Sequence, residues 1–251
     1  MRKTIFLTFA LLLIGAPAFA FINGGFESGD LTGWTGGGGT WFGSPAPPVN
    51  PSTYAGGTAR NTIMSVGTDP ITGASRVYGG SYSVRVNDSI NDYTVSTISQ
   101  SVIGYTDPTI FFAWNAVLQA SHGLNDSDYF SLTLRDDTAA TDVVSRAYSS
   151  AGAIGSGTSG VTWTNFSGWY SSGWVVESID LAALGIQGHD FTLSLLGSDC
   201  PYGGHAGYVY LDGFGAAPPP PGPTPGVPEP ATLLSLGLGL AGLVGFRRLA
   251  K

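Results

Sequence analysis

One cysteine, Cys200, stands in the 251-residue sequence, so no disulfide can form within the chain and its core must hold without covalent staples. Positive charge is almost as scarce. From Phe21 to Gly226 it is confined to Arg60, Arg76, Arg85, Arg135 and Arg146, against sixteen acids, for a net −11. That balance excludes nucleic acid as a partner, because phosphate backbones are held by clustered Lys and Arg. It suits hard cations, calcium above all, and equally a plain solvated acidic surface. Amphipathic-helix periodicity is missing apart from a turn at "LAALG". There is no Gly-x-Ser-x-Gly elbow, no His-Glu-x-x-His pair and no phosphate-binding loop, so the reading is non-catalytic.

What is present at the N-terminus is an export signal. Arg2 and Lys3 precede an apolar run from Ile5 to Ile14, and Ala18 and Ala20 form a small-x-small cleavage site before Phe21. Residues 1–20 are therefore expected to be removed by the secretion machinery. An uncleaved N-terminal anchor is the alternative, but the run is short for one.

The stretch 21–217 is long enough for one domain with a proper core. From Ser81 onward, short runs alternate apolar and polar residues: "SYSVRV", "TVSTISQSVI", "TIFFAWNAVL", "DYFSLTLR", "DVVSRAY", "WVVESIDL", "DFTLSLLG" and "GYVYLDGF". They are rich in Val, Ile, Thr, Tyr and Phe and are parted by Gly, Asp, Asn and Ser, the spacing of an all-β sandwich. The region Thr35–Gly80, dense in Gly, Pro, Ser and Thr, reads as long loops with one or two short strands, "TIMSVG" the best of them. Residues 218–226 form a proline-rich, polyproline II-like spacer.

Residues 227–251 have three parts in order. Val227-Pro228-Glu229-Pro230 is followed by a Gly- and Leu-rich span, 231–246, and then by Arg247 and Arg248. As a helix the span would cover about 24 Å against a hydrocarbon core of about 30 Å, with the arginines held on the cytoplasmic side. The arrangement resembles the PEP-CTERM sorting signal of Gram-negative bacteria that make extracellular polysaccharide. The resemblance implies a transient inner-membrane anchor, recognition by an exosortase-type membrane transpeptidase, and delivery to the cell surface or extracellular matrix. An ordinary single-pass anchor on a proline-rich stalk is the alternative.

Within the body, "FINGGFESGDLTGW" resembles the first strand and turn of galactose-binding-like jelly rolls, which include several carbohydrate-binding families, and "GYVYLDGF" resembles their closing strand. The resemblance implies a jelly-roll β-sandwich whose first and last strands lie side by side. It also implies a structural Ca²⁺ held by Glu27 and Asp212, with Asn23, Gly25 and Ser81 as further contributors. A turn cap at Glu27 and a metal-free Asp212 fit the same residues.

Trp41 and the cluster Trp163, Asn165, Trp169 and Tyr170 are candidate sugar contacts, since aromatic faces stack on sugar rings; core packing is the competing account. In "DCPYGGH", Cys200 and His205 are too few ligands for zinc by themselves, and a nucleophile reading would need His122 or His189 to arrive as base; a tight turn at Gly203-Gly204 with Cys200 packed as a small apolar group is the plainer reading. Asp126/Asp128 and Asp136/Asp137 raise a glycosidase reading, which requires two acids flanking a cleft. The expected function is a non-catalytic surface or matrix protein associated with exopolysaccharide or biofilm. A carbohydrate-binding module is the alternative, and a secreted hydrolase the third reading.

Overall fold

The computed structural model describes residues 21–43, 51–123, 126–151 and 161–218. The expected signal peptide, residues 1–20, and the sorting motif, including the span 231–246, lie outside them. Twelve strands and one short helix make up nearly all the regular structure: β1 (Thr35–Thr40), β2 (Thr62–Ser65), β3 (Tyr82–Val86), β4 (Thr94–Val102), β5 (Thr109–Gln119), β6 (Tyr129–Asp136), β7 (Thr141–Ser149), β8 (Thr164–Phe166), β9 (Trp169–Ser171), β10 (Val175–Asp180), α1 (Leu181–Leu184), β11 (Phe191–Ser198) and β12 (Gly207–Gly215). All pairing is antiparallel, in a five-stranded sheet β1-β4-β11-β6-β7 and a seven-stranded sheet β2-β3-β12-β5-β9-β8, with β10 on the free half of β5.

The order β3-β12-β5-β10 facing β4-β11-β6-β7 is that of a jelly roll. Those strands are the alternating runs of the sequence. Their inward residues, among them Val84, Ile98, Phe112, Trp114, Leu132, Leu193 and Val209, meet between the sheets as one core. α1 is set by its caps: the Asp180 carboxylate accepts the Ala183 N–H (2.9 Å), and Gly185 takes the left-handed conformation that ends it.

Two expectations are corrected. Residues 21–34 form turns and not a first strand, because Asn23 (φ 51°) and Phe26 (φ 60°) adopt left-handed conformations that break an extended run. The segment still lies against the last strand: the Phe214 N–H donates to the Gly24 carbonyl (3.0 Å), and Phe21 packs on Phe214 with centroids 3.7 Å apart. The strand beside β12 is β3, while β1 pairs with β4. β1, "TGGGGT", and β2 are the two short strands of the loop-rich stretch Thr35–Gly80. A Cβ on Gly38 would run into the Thr58 carbonyl and one on Gly37 into that of Tyr54, so the glycines admit a second backbone against this edge strand.

On one open side the sheets are tied by Arg146 of β7 and Glu177 of β10, through Nε–Oε1 and Nη2–Oε2 contacts of 2.8 Å each. Glu177 also accepts the Trp114 indole N–H (3.3 Å). Truncation of Glu177 to alanine strands a guanidinium and an indole, and is expected to cost about 2–3 kcal/mol. Arg135→Ala, at a more exposed pair with Asp142, is expected to cost under about 1 kcal/mol; urea melts of both variants check the ranking.

Candidate functional site

Alternation along β12 sends Val209 and Leu211 into the core and leaves Tyr208, Tyr210 and Asp212 on the outer face of the seven-stranded sheet. Register adds neighbours: Arg85 of β3 and Asn115 of β5 flank Tyr210, and Ser171 of β9 lies beside Val117. The hairpin β8–β9 turns at Ser167 (φ 53°) and Gly168 (φ 93°), the two positive angles of a type I′ turn, and presents Trp169 on this face. Rings then run in sequence across it. Trp169 lies 6.0 Å from Tyr208, Tyr208 5.7 Å from Tyr210, Tyr210 6.3 Å from Trp174, and Trp174 5.6 Å from Tyr78. Tyr208 and Tyr210 are buried, whereas Trp169, Trp174 and Tyr78 keep part of their surface in solvent.

The two buried tyrosines are covered by the loop between β2 and β3, whose anchor is Asp69. One carboxylate oxygen accepts both tyrosine hydroxyls (2.7 Å each), and the other accepts the N–H groups of Ile71 (3.0 Å) and Thr72 (2.7 Å) and the Thr72 hydroxyl (2.9 Å). Burial opposes ionisation of Asp69, but the bonds from Thr72, Tyr208 and Tyr210 outweigh it and hold the carboxyl below its usual range. The same environment drives the Tyr208 and Tyr210 hydroxyls upward, by burial first and then by Asp69.

Three donors on this face have no hydrogen-bond partner although buried: Arg76 Nε, Arg85 Nε and Asn115 Nδ2. Arg85 also lies 5.6 Å from the Tyr208 ring centroid, within cation–π range. Arg60, Arg135 and Arg146 are each paired with carboxylates; Arg76 and Arg85 form no ion pair among the described residues. Buried donors without a protein partner are rare, and each has capacity left for an acceptor such as a bound water.

The candidate sugar contacts scatter. Trp169 is on the face. Tyr170, its neighbour, points the opposite way and receives the Asn165 amide N–H (2.9 Å), while Asn165 Oδ1 accepts the Gly168 N–H and closes the turn. Trp163 packs half-buried against the core, edge-on to Tyr148. Trp41 is buried on the outer side of the other sheet beside Val95, Tyr129 and Leu196, its indole N–H donating to the Asp199 carbonyl (2.7 Å), so it presents no free stacking face. Trp174 closes the same aromatic run of the sequence, "WTNFSGWYSSGW", as Trp169; Tyr78, Asp69, Arg76, Arg85 and Asn115 carry no sequence signal of their own beyond the alternation in "GYVYLD".

Glu27 and Asp212 are brought together. Glu27 accepts the N–H groups of Ser81 (3.0 and 3.1 Å) and Tyr82 (3.1 Å), and Asp212 Oδ2 those of Tyr78 (2.9 Å) and Gly79 (3.0 Å). Asp212 Oδ1 is buried without a partner, and a Cβ on Gly25 would lie 3.8 Å from it and 3.9 Å from Glu27 Cγ, so the glycine leaves a cradle between the acids. Burial, with Glu27 adding to it, pushes Asp212 up to about 7 against its backbone donors. Two carboxylates and an orphan oxygen fit a hard cation. Asn23 is committed to its own loop, bonding Asp30 and Ser28, and Ser81 offers Glu27 its backbone N–H.

The other candidates divide likewise. His189 is held by Asp136 (2.8 Å), away from Cys200, whereas His122 does reach Cys200, with 3.9 Å between Nδ1 and Sγ. Asp136 is buried in that bond, and Asp137 is tied to Arg135 and Thr192.

Residues 226–248 match the PEP-CTERM protein-sorting motif. The chain is thus a jelly-roll β-sandwich carrying that motif at its C-terminus, which implies export, a membrane-anchored intermediate and exosortase processing. No curated protein matches it. Similar solved structures include TmCBM61 in complex with β-1,4-galactotriose (TM-score 0.40, 10% identity, 78% of this chain and 96% of that one). CBM27-1 of Caldicellulosiruptor saccharolyticus in complex with mannohexaose (0.36, 10%, 80% and 97%) and the K2 cleaved adhesin domain of Lys-gingipain (0.36, 17%, 79% and 96%) are also similar. At these TM-scores they add nothing to what the strand order establishes.

Asp69→Ala leaves two tyrosine hydroxyls and the Thr72 N–H unpartnered and is expected to cost about 3 kcal/mol or more. Because the folded-state carboxyl titrates below 3.8, its contribution is complete above about pH 4 and is lost as pH falls through the lower folded value. Denaturant midpoints at pH 7 and pH 3 should therefore differ more for the wild type than for Asp69→Ala.

Proposed function

We propose that this is an exported, non-catalytic glycan-binding protein, sorted through its C-terminal motif to the cell surface or extracellular matrix, and that the outer face of the seven-stranded sheet receives the sugar. The observation that carries this reading is the grouping, on one face, of part-exposed Trp169 and Trp174 with part-exposed Arg76 and Arg85, which form no ion pair among the described residues. Indole faces cover the apolar side of a sugar ring, and guanidinium donors take its hydroxyl or carboxylate oxygens. Exopolysaccharide of the producing cell is the ligand an exported protein meets first. On an acidic body, Arg76 and Arg85 are the positive groups of this face, set against the Asp69 carboxylate.

Calorimetry of the full-length protein in detergent against that polysaccharide tests the reading. Trp169→Ala and Trp174→Ala should each weaken saturable binding by about tenfold or more, roughly 1.4 kcal/mol, with unchanged circular dichroism. Thr133→Ala on the opposite sheet should leave binding unchanged. Wild-type affinity in the Trp169/Trp174 double variant would sink the proposal.

We also propose that the Glu27–Asp212 cradle binds a structural calcium ion. Asp212 already holds residues 78–79 to β12 and Glu27 holds residues 81–82 to the N-terminal turns, so the ion would tie both to the sheet. Calcium at a hundredfold above its Kd should raise the melting temperature by about 5–10 °C. Asp212→Asn should abolish that response; an equal response in the variant places calcium elsewhere.

A further inference from the structure

The end of the sandwich remote from the Glu27–Asp212 cradle gathers side chains that the glycan face leaves unused. His122 follows β5, Cys200 follows β11 and His205 precedes β12, so strand order brings together residues far apart in sequence. One ligand atom from each lies within 4.8 Å of the other two. Cys200 Sγ is 3.9 Å from His122 Nδ1, and the two imidazoles meet edge to face with centroids 4.6 Å apart. The Asp126 carboxylate lies 3.5 Å from the same His122 nitrogen, and its carbonyl oxygen accepts the Cys200 S–H (2.9 Å).

A further observation points to a cation: His205 Nδ1 is buried without a partner. We propose that His122, Cys200 and His205 form a binding site for a borderline-soft divalent transition ion of the zinc class.

Tetrahedral zinc with one sulfur and two nitrogen ligands sets neighbouring ligand atoms about 3.3–3.6 Å apart. The Sγ–Nδ1 distance has to close by a few tenths of an ångström, and the widest pair by about 1 Å, within reach of a rotation of the exposed His122 side chain. Three protein ligands leave a fourth position for the Asp126 carboxylate or a water. On loading, the Cys200 S–H bond breaks, a metal–sulfur bond forms, one proton leaves to solvent and no oxidation state changes. The metal itself supplies the drive for deprotonation of the thiol.

Cobalt(II) titration of the metal-free full-length protein, with calcium in excess to saturate carboxylate sites, tests this. The expected result is one cobalt per chain, with the visible bands of a tetrahedral ion and a near-ultraviolet thiolate charge-transfer band, both displaced by zinc. Cys200→Ser should remove the charge-transfer band. His122→Gln and His205→Gln should each weaken binding by at least about tenfold. Because His122 is exposed, its variant reports on ligation even if Cys200→Ser unfolds the chain. No thiolate band in the wild type, or unchanged affinity in the His122/His205 double variant, overturns the proposal.

Discussion

Backbone N–H groups donated to carboxylates, most of them buried, hold the loops of this sandwich where an exported protein could have used disulfides. Asp69 fixes the loop over the seven-stranded sheet, Asp212 and Glu27 fix its return at residues 78–82, and Asp199 accepts the N–H groups of Asp92 and Thr94 before β4. Each such bond is charge-assisted and satisfies a donor that no ladder reaches. With one cysteine and sixteen acids in the body, carboxylates are the staple this composition supplies.

The staples are not energetically alike. Asp69 and Asp136 gather enough donors to overcome desolvation, sit below the usual carboxylate range and stabilise the fold at neutral pH. Asp128, Asp199 and Asp212 are raised because burial wins, the last two to about 7. In the ionised form those three cost stability, and they lie at or beside the places argued to take cations. A bound cation offsets the desolvation that the hydrogen bonds leave uncovered.

The fold was legible where periodicity survives. All eight alternating runs are strands, because a period of two with β-branched and aromatic residues describes a half-buried sheet whatever its neighbours. β1 was hidden because four successive glycines carry no pattern, and their use, room for a second backbone, depends on partners distant in sequence. The "NGGF" turn failed as a strand through positive φ at Asn23, a residue that tolerates it, and at Phe26, from which it is not expected. Glu27 and Asp212 do meet, although from a turn and a bulged strand. The arrival of His122 at Cys200, 78 residues away, follows from strand order and has no local signal.

β12 relates the three proposed sites. From His205, just before it, through Tyr208 and Tyr210 to Asp212, one short stretch contributes to the transition-metal cluster, the aromatic face and the calcium cradle in turn. Seven residues of extended chain span about 23 Å, so the two cations would be held well apart. β12 lies between β3 and β5 with ladders on both sides, which makes it a rigid ruler and not an element with two arrangements. Coupling between sites requires a two-state element that both bias, and this strand supplies none. Calcium is therefore expected to act on the glycan face by ordering the Tyr78–Tyr82 segment, and the transition ion to leave glycan affinity unchanged.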